Sequence, residues 1–185
     1  MATQVNSIGY IIIDGSDTMI RGAVLITDGK GYPLDFARTE PLRPDHLARI
    51  LYGGSFLQYA KEKLILESLV EAVEIDPQLW LCRDKEILEP LKAKSKVPSV
   101  KLEESVHVPL EAAGHIETTA EPGVYMLQVE ANGAPLRAEF SSNTRPEEVQ
   151  QAAAILSFSA QSMDILEPFT RLEKALNFLA TGRSS

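Results

Sequence analysis

Between Gly9 and Arg38 the apolar positions fall into three short runs separated by polar, glycine-containing corners. Tyr10 to Ile13 is continuously apolar and ends at Asp14. A Gly15-Ser16-Asp17-Thr18 link follows, and Arg21 to Thr27 is apolar and β-branched. Asp28-Gly29 is a hairpin signal, and a third extended segment lies near Leu34 to Ala37. The pattern predicts a three-stranded antiparallel meander. Its first strand is continuous rather than alternating, as expected for a central strand buried on both faces. Thr39 to Pro44 carries two prolines and is expected to leave the sheet.

The period then changes from run-like to helical. A short helix is expected from Asp45, interrupted by Gly53-Gly54. A longer one is expected from Ser55, with Gln58 completing a capping box, to about Ile75 before Asp76-Pro77. Spacing at 100° puts Ile65, Leu66, Leu69, Ala72 and Val73 on one face and Glu67, Glu71 and Glu74 on another. Leu79 to Cys82 reads as a strand, Asp84 as the cap of a helix to about Lys94, and Val97 to Leu102 as another strand. Residues 103–123 read as an irregular connection with a strand around Val106 to Leu110. Val124 to Val129 and Leu136 to Phe140 flank Asn132-Gly133 as a second hairpin. Thr144 and Glu147 form a capping box for a helix bearing Val149, Ala152, Ala153, Leu156 and Met163. Pro168 is expected to kink or end that helix, and Phe169, Leu172, Leu176 and Leu179 form a last stripe.

Composition narrows the setting. The chain has 185 residues, 44% hydrophobic and 24% charged, with a formal net charge of -8. That is enough chain for one domain with a real core, residues 1–185 with 124–185 as a hairpin plus helices packed on it. The negative charge disfavours a bare phosphate backbone as partner, except through a local basic patch such as Lys92, Lys94, Lys96 and Lys101. No apolar run approaches about 18 residues and no basic n-region precedes a long apolar stretch, so no signal peptide and no membrane span are expected. Cys82 is the sole cysteine and cannot form an internal disulfide, in keeping with a cytoplasmic location.

A meander followed by helix, strand, helix and strand resembles the ribonuclease H-like superfamily over roughly residues 8–102. The expected fold class is therefore α/β: a mixed sheet of ribonuclease H-like order with an extra C-terminal hairpin and helices. In that superfamily an aspartate on the first strand is the most constant metal ligand, and Asp14 stands at that place. Locally, Ile13-Asp14-Gly15-Ser16-Asp17-Thr18 with Arg21 to Leu25 and Asp28-Gly29 is similar to the first phosphate loop of the sugar-kinase, actin and heat-shock ATPase superfamily. That loop usually has a second glycine where this chain has Ser16-Asp17, and the added carboxylate would repel a phosphate unless a cation intervened.

Metal-dependent phosphodiester chemistry needs converging carboxylates to hold and neutralise Mg²⁺ or Mn²⁺. The candidate catalytic positions are Asp14, Asp17, Asp84 and Glu67, with Asp14 and Asp84 as metal ligands. Glu86 and Glu71 stand beside them, and Asp164 or Glu167 is a candidate fourth acid on the C-terminal helix. Each has a plainer role: Asp14 as a turn residue, Asp84 as a cap, the glutamates as a solvated face. Cys82 reads as an inert core thiol, and His46, His107 and His115 lack zinc-ligand spacing. The reading at this level is a non-catalytic interaction subunit of a larger assembly, with a protein partner or a second copy as its contact. The alternative is a Mg²⁺- or Mn²⁺-dependent nuclease or phosphohydrolase in which Asp14 is the first-strand ligand.

Overall fold

The computed structural model describes residues 6–181. Eight strands form one sheet in the order β3-β2-β1-β4-β5-β8-β7-β6. β1 (Ser7–Gly15), β2 (Ile20–Asp28) and β3 (Pro33–Arg38) are the antiparallel meander. β4 (Leu79–Cys82) lies parallel to β1, and β5 (Ser99–Glu103) parallel to β4. The other half of the sheet is antiparallel: β8 (Leu136–Phe140), β7 (Val124–Leu127) and β6 (Ile116–Thr118). The order of the first five strands is that of the ribonuclease H-like expectation.

The continuous apolar character of β1 has the predicted cause, because successive side chains enter two cores. Ile8 and Tyr10 join Leu25, Leu81 and Val100 on the face covered by α5 (Pro146–Ala160) and α6 (Glu167–Thr181). Ile11 joins Val24, Ile26, Trp80 and Cys82 on the opposite face. A helical stretch covers that face: α2 (Phe56–Tyr59), a π segment (Ala60–Leu66) and α3 (Glu67–Ala72), with α4 (Leu88–Ser95) beside it. Each large side chain fully buried in these layers contributes roughly 1.5–3 kcal/mol. Phe169, Leu172 and Leu176 lie within the first core, while Leu179 stays partly exposed. Among the described residues no helix is long and apolar enough to cross a membrane.

Several expected local features are replaced. Ser55 is not a cap: it is already helical, and its hydroxyl donates to the Tyr52 carbonyl at 2.7 Å. Helical structure begins earlier, at α1 (His46–Tyr52), where Asp45 accepts from the Ala48 N–H at 2.7 Å as expected. The wider π turns upset a strict 100° projection, and Ala72 is exposed while Ile65, Leu66 and Leu69 are buried. The α5 cap falls one residue later than Thr144 and Glu147. Glu148 accepts from the Arg145 N–H at 2.9 Å, and the Thr144 hydroxyl turns back to the Ser141 carbonyl. Pro168 opens α6 rather than ending a helix, since an N-terminal proline loses no ladder hydrogen bond. No strand forms at 106–110. The Leu110 N–H is taken by the buried Gln128 side chain at 2.7 Å, and the sheet edge is β6 instead. Gln128 also donates to the Glu130 and Gly133 carbonyls, which holds a longer loop than an Asn132-Gly133 turn between β7 and β8.

Candidate functional site

β1 and β4 are parallel neighbours, and the crevice beyond their carboxyl ends is where such sheets place ligands. Asp14 is the last side chain of β1 before Gly15. A Cβ on Gly15 would lie 2.3 Å from the Met19 carbonyl oxygen, so the corner that presents Asp14 closes only around glycine. Ser16 N–H closes this corner onto Met19 O at 2.9 Å, and the Ser16 and Thr18 hydroxyls bond each other at 2.8 Å. Asp84 follows β4 and caps a short 3-10 turn (Lys85–Ile87), its Oδ1 accepting from the Glu86 N–H at 2.9 Å.

Asp14 and Asp84 open on one cavity of about 390 Å³. α6 contributes Glu173, Leu176 and Asn177 to its wall, and Arg21, Arg83 and Ile87 complete much of the rest. Asp17 is exposed on the corner and does not line this space. Glu67 lies on another depression with Glu62, Lys63 and Lys94, where hydrogen bonding from Lys63 holds its carboxyl below the usual range. Asp164 and Glu167 line a neighbouring cavity with Arg83 and Lys101, so the acid that α6 brings to Asp14 and Asp84 is Glu173.

Every carboxylate in the main cavity meets a cation of the chain. Arg21 stands opposite Asp14 in the β1–β2 register, with Nη2 3.3 Å from Asp14 Oδ2. Its other contacts hold it to α6: Nη1 donates to Leu176 O at 3.1 Å and Nη2 to Asn177 Oδ1 at 2.9 Å. Lys61, on the π segment, donates to Asp84 at 3.1 Å and to Glu86 at 3.0 Å. Burial would lower the Lys61 pKa, but hydrogen bonds to Glu86 and Asp84 outweigh it and leave the ammonium above its ordinary value. Arg83 donates to Glu173 at 2.6 Å and lies 4.7 Å over the Phe169 ring centre. A smaller cavity of about 160 Å³, lined by Arg38, Thr39, Pro41 and Leu179, shares Arg21 and Leu176 with the main one.

Among the described residues no three His, Cys, Asp or Glu side chains are grouped closely enough to share a metal ion. The donor set therefore does not build a two-ion cluster. Asp14 and Asp84 share the cavity, and one or two carboxylates is the number a hydrated Mg²⁺ or Mn²⁺ takes when water and phosphate oxygens fill its shell. The pairs already present are soft at the Asp14 end: the side chain is 65% exposed, and exposed pairs contribute about 0–1 kcal/mol.

Arg21, Lys61, Arg83, Glu173 and Asn177 were not among the residues the sequence singled out. Glu173 and Asn177 carry one signal, being four apart on α6 beside the Phe169, Leu172, Leu176 stripe.

No family model matches the chain, and no curated protein matches it by sequence. Solved structures do match in shape. Endonuclease V from Streptomyces avermitilis aligns with a TM-score of 0.62 at 11% identity, over 96% of this chain and 84% of that one. Endonuclease V from Bacillus subtilis aligns at 0.54 and 11% identity, over 84% and 71%. Aquifex aeolicus Argonaute aligns at 0.52 and 12% identity, over 88% of this chain but only 26% of that one. The fold is thus a ribonuclease H-like α/β fold, shared with nucleases at low sequence identity.

Proposed function

We propose that the chain is a divalent-cation-dependent nuclease or phosphohydrolase, working at the Asp14–Asp84 cavity. The observation that carries the reading is convergence: acids from β1, from the end of β4 and from α6 line one pocket at the carboxyl ends of adjoining parallel strands. Asp14 and Asp84 would hold the ion, which supplies neutralisation of a phosphoryl oxygen and a more acidic bound water. Arg83 is held over Phe169 and has Glu173 as its one hydrogen-bond acceptor among the described residues, which leaves the guanidinium suited to a phosphate oxygen. Asn177 and Arg21 give α6 a polar wall against which a substrate would be oriented.

The test is Mn²⁺-dependent cleavage of single-stranded DNA, RNA and small phosphodiesters by the wild type and Asp14→Asn. The variant should lose at least about a hundredfold in rate, the scale of a few kcal/mol of transition-state charge stabilisation, with its unfolding midpoint unchanged. Turnover equal to wild type would rule out the site.

A second reading, the non-catalytic subunit of a larger assembly, has its own support. Each cavity carboxylate is already matched by Arg21, Lys61 or Arg83. α1 buries none of its residues and exposes Leu47, Ile50 and Leu51, an apolar face available to a protein partner. A wild type without metal-dependent turnover on all three substrate classes selects this reading.

A further inference from the structure

We propose that Arg21 and Lys61 are resident counter-ions that hold the divalent cation's place at Asp14 and Asp84, and that their release sets the site's cation affinity. The inference rests on the metal-dependent reading and concerns its regulation. Two unit positive charges within hydrogen-bonding distance of the donors oppose an incoming dication, and they also supply the neutralisation it would otherwise bring.

The two cations are held differently. Arg21 is anchored to α6 through Leu176 O and Asn177 Oδ1, and its contact with Asp14 is the longest of its hydrogen bonds. Its Nε is buried without a hydrogen-bond partner among the described residues. The guanidinium is therefore incompletely satisfied where it lies, while Asp14 retains Oδ1 and an open side. Lys61 has two acceptors, Asp84 and Glu86. It can surrender Asp84 and keep Glu86, because each carboxylate accepts from Nζ on its own. Asp84 in turn remains oriented by its bond from the Glu86 N–H when the lysine leaves. The π segment presents Lys61 to Asp84, a local irregularity of the sort found at functional positions.

The measurement is a Mn²⁺ titration of the whole chain, followed by the paramagnetic resonance signal of free Mn²⁺. Lys61→Gln and Arg21→Gln should each tighten binding about fivefold, the scale of one partly screened unit charge, while Arg21→Lys stays near the wild type. Unchanged Trp80 emission in each variant shows that the fold is kept; Lys61→Met serves as a second charge-removing variant should Arg21→Gln loosen α6. If the wild type binds, Asp14→Asn does not, and charge removal leaves affinity unchanged or weaker, the counter-ion role is wrong and the metal site stands. If the charge-removed variants bind no Mn²⁺, or bind it equally well once Asp14→Asn is added to them, both readings fall.

Discussion

Glu148 shows how much one carboxylate can join. It is nearly buried, pairs with Lys92 of α4, and receives the Arg145 N–H at the start of α5. Those hydrogen bonds, Lys92 first, hold its carboxyl below the ordinary range, against the opposing effect of burial. A folded-state pKa below the unfolded value of about 4.3 means the stabilisation is complete above that value and fades as pH falls through the lowered one. Glu148→Gln should cost about 1–2 kcal/mol at neutral pH, and its urea midpoint should converge with the wild type's below about pH 4. Parallel curves across that range would contradict the assignment. Cys82 sits at the other extreme: burial pushes its thiol up to about 12, and its Sγ lies 3.5 Å from the Asp84 carbonyl oxygen. The sequence reading of an inert core thiol agrees with that environment.

At the level of elements, the β1–β4 contact depends on the absence of a side chain. A Cβ on Gly9 would lie 2.6 Å from Trp80 Cε3 and 2.8 Å from Pro77 Cγ. Gly9→Ala should destabilise by roughly 1–3 kcal/mol in urea, read by Trp80 fluorescence, because the indole is enclosed and cannot yield. Gly54→Ala, where an added Cβ meets nothing within 4 Å, should be neutral or slightly stabilising. The same contrast explains what could be read beforehand. Strands such as β1 and β4 announce themselves because both faces are buried and their residues are apolar in unbroken runs. The 104–115 segment could not, because its hydrogen bonds run to distant parts of the chain: the Gln128 side chain takes the Leu110 N–H, and the Ser105 hydroxyl donates to the Pro135 carbonyl. The α5 cap alone fell one register late, where Glu148 rather than Glu147 reaches back to the cap backbone.

For the whole molecule, the two cores share β1, β2 and β4 as a common wall. Loss of either layer exposes the strands on which the other rests, so unfolding should be all-or-none. Trp80 emission reports one face and far-UV circular dichroism reports helices on both; the two urea curves should coincide, and a helical signal persisting beyond the Trp80 transition would break the expectation. Asp14 and Asp84, which line the candidate cavity, stood out in the sequence because each ends or follows an apolar run. Their partners did not, because Arg21–Leu176 and Arg83–Glu173 close only when α6 returns across the sheet. No local pattern encodes a contact between chain segments so far apart.

Arg21 also has an architectural consequence. With Leu176 it forms the shared wall of two cavities, one under Asp14 and Asp84 and one between Arg38, Pro41 and Leu179. A guanidinium that swung away would thin that wall to Leu176 and widen the opening beside α6. The same movement would then act both on charge at Asp14 and on the space beside it.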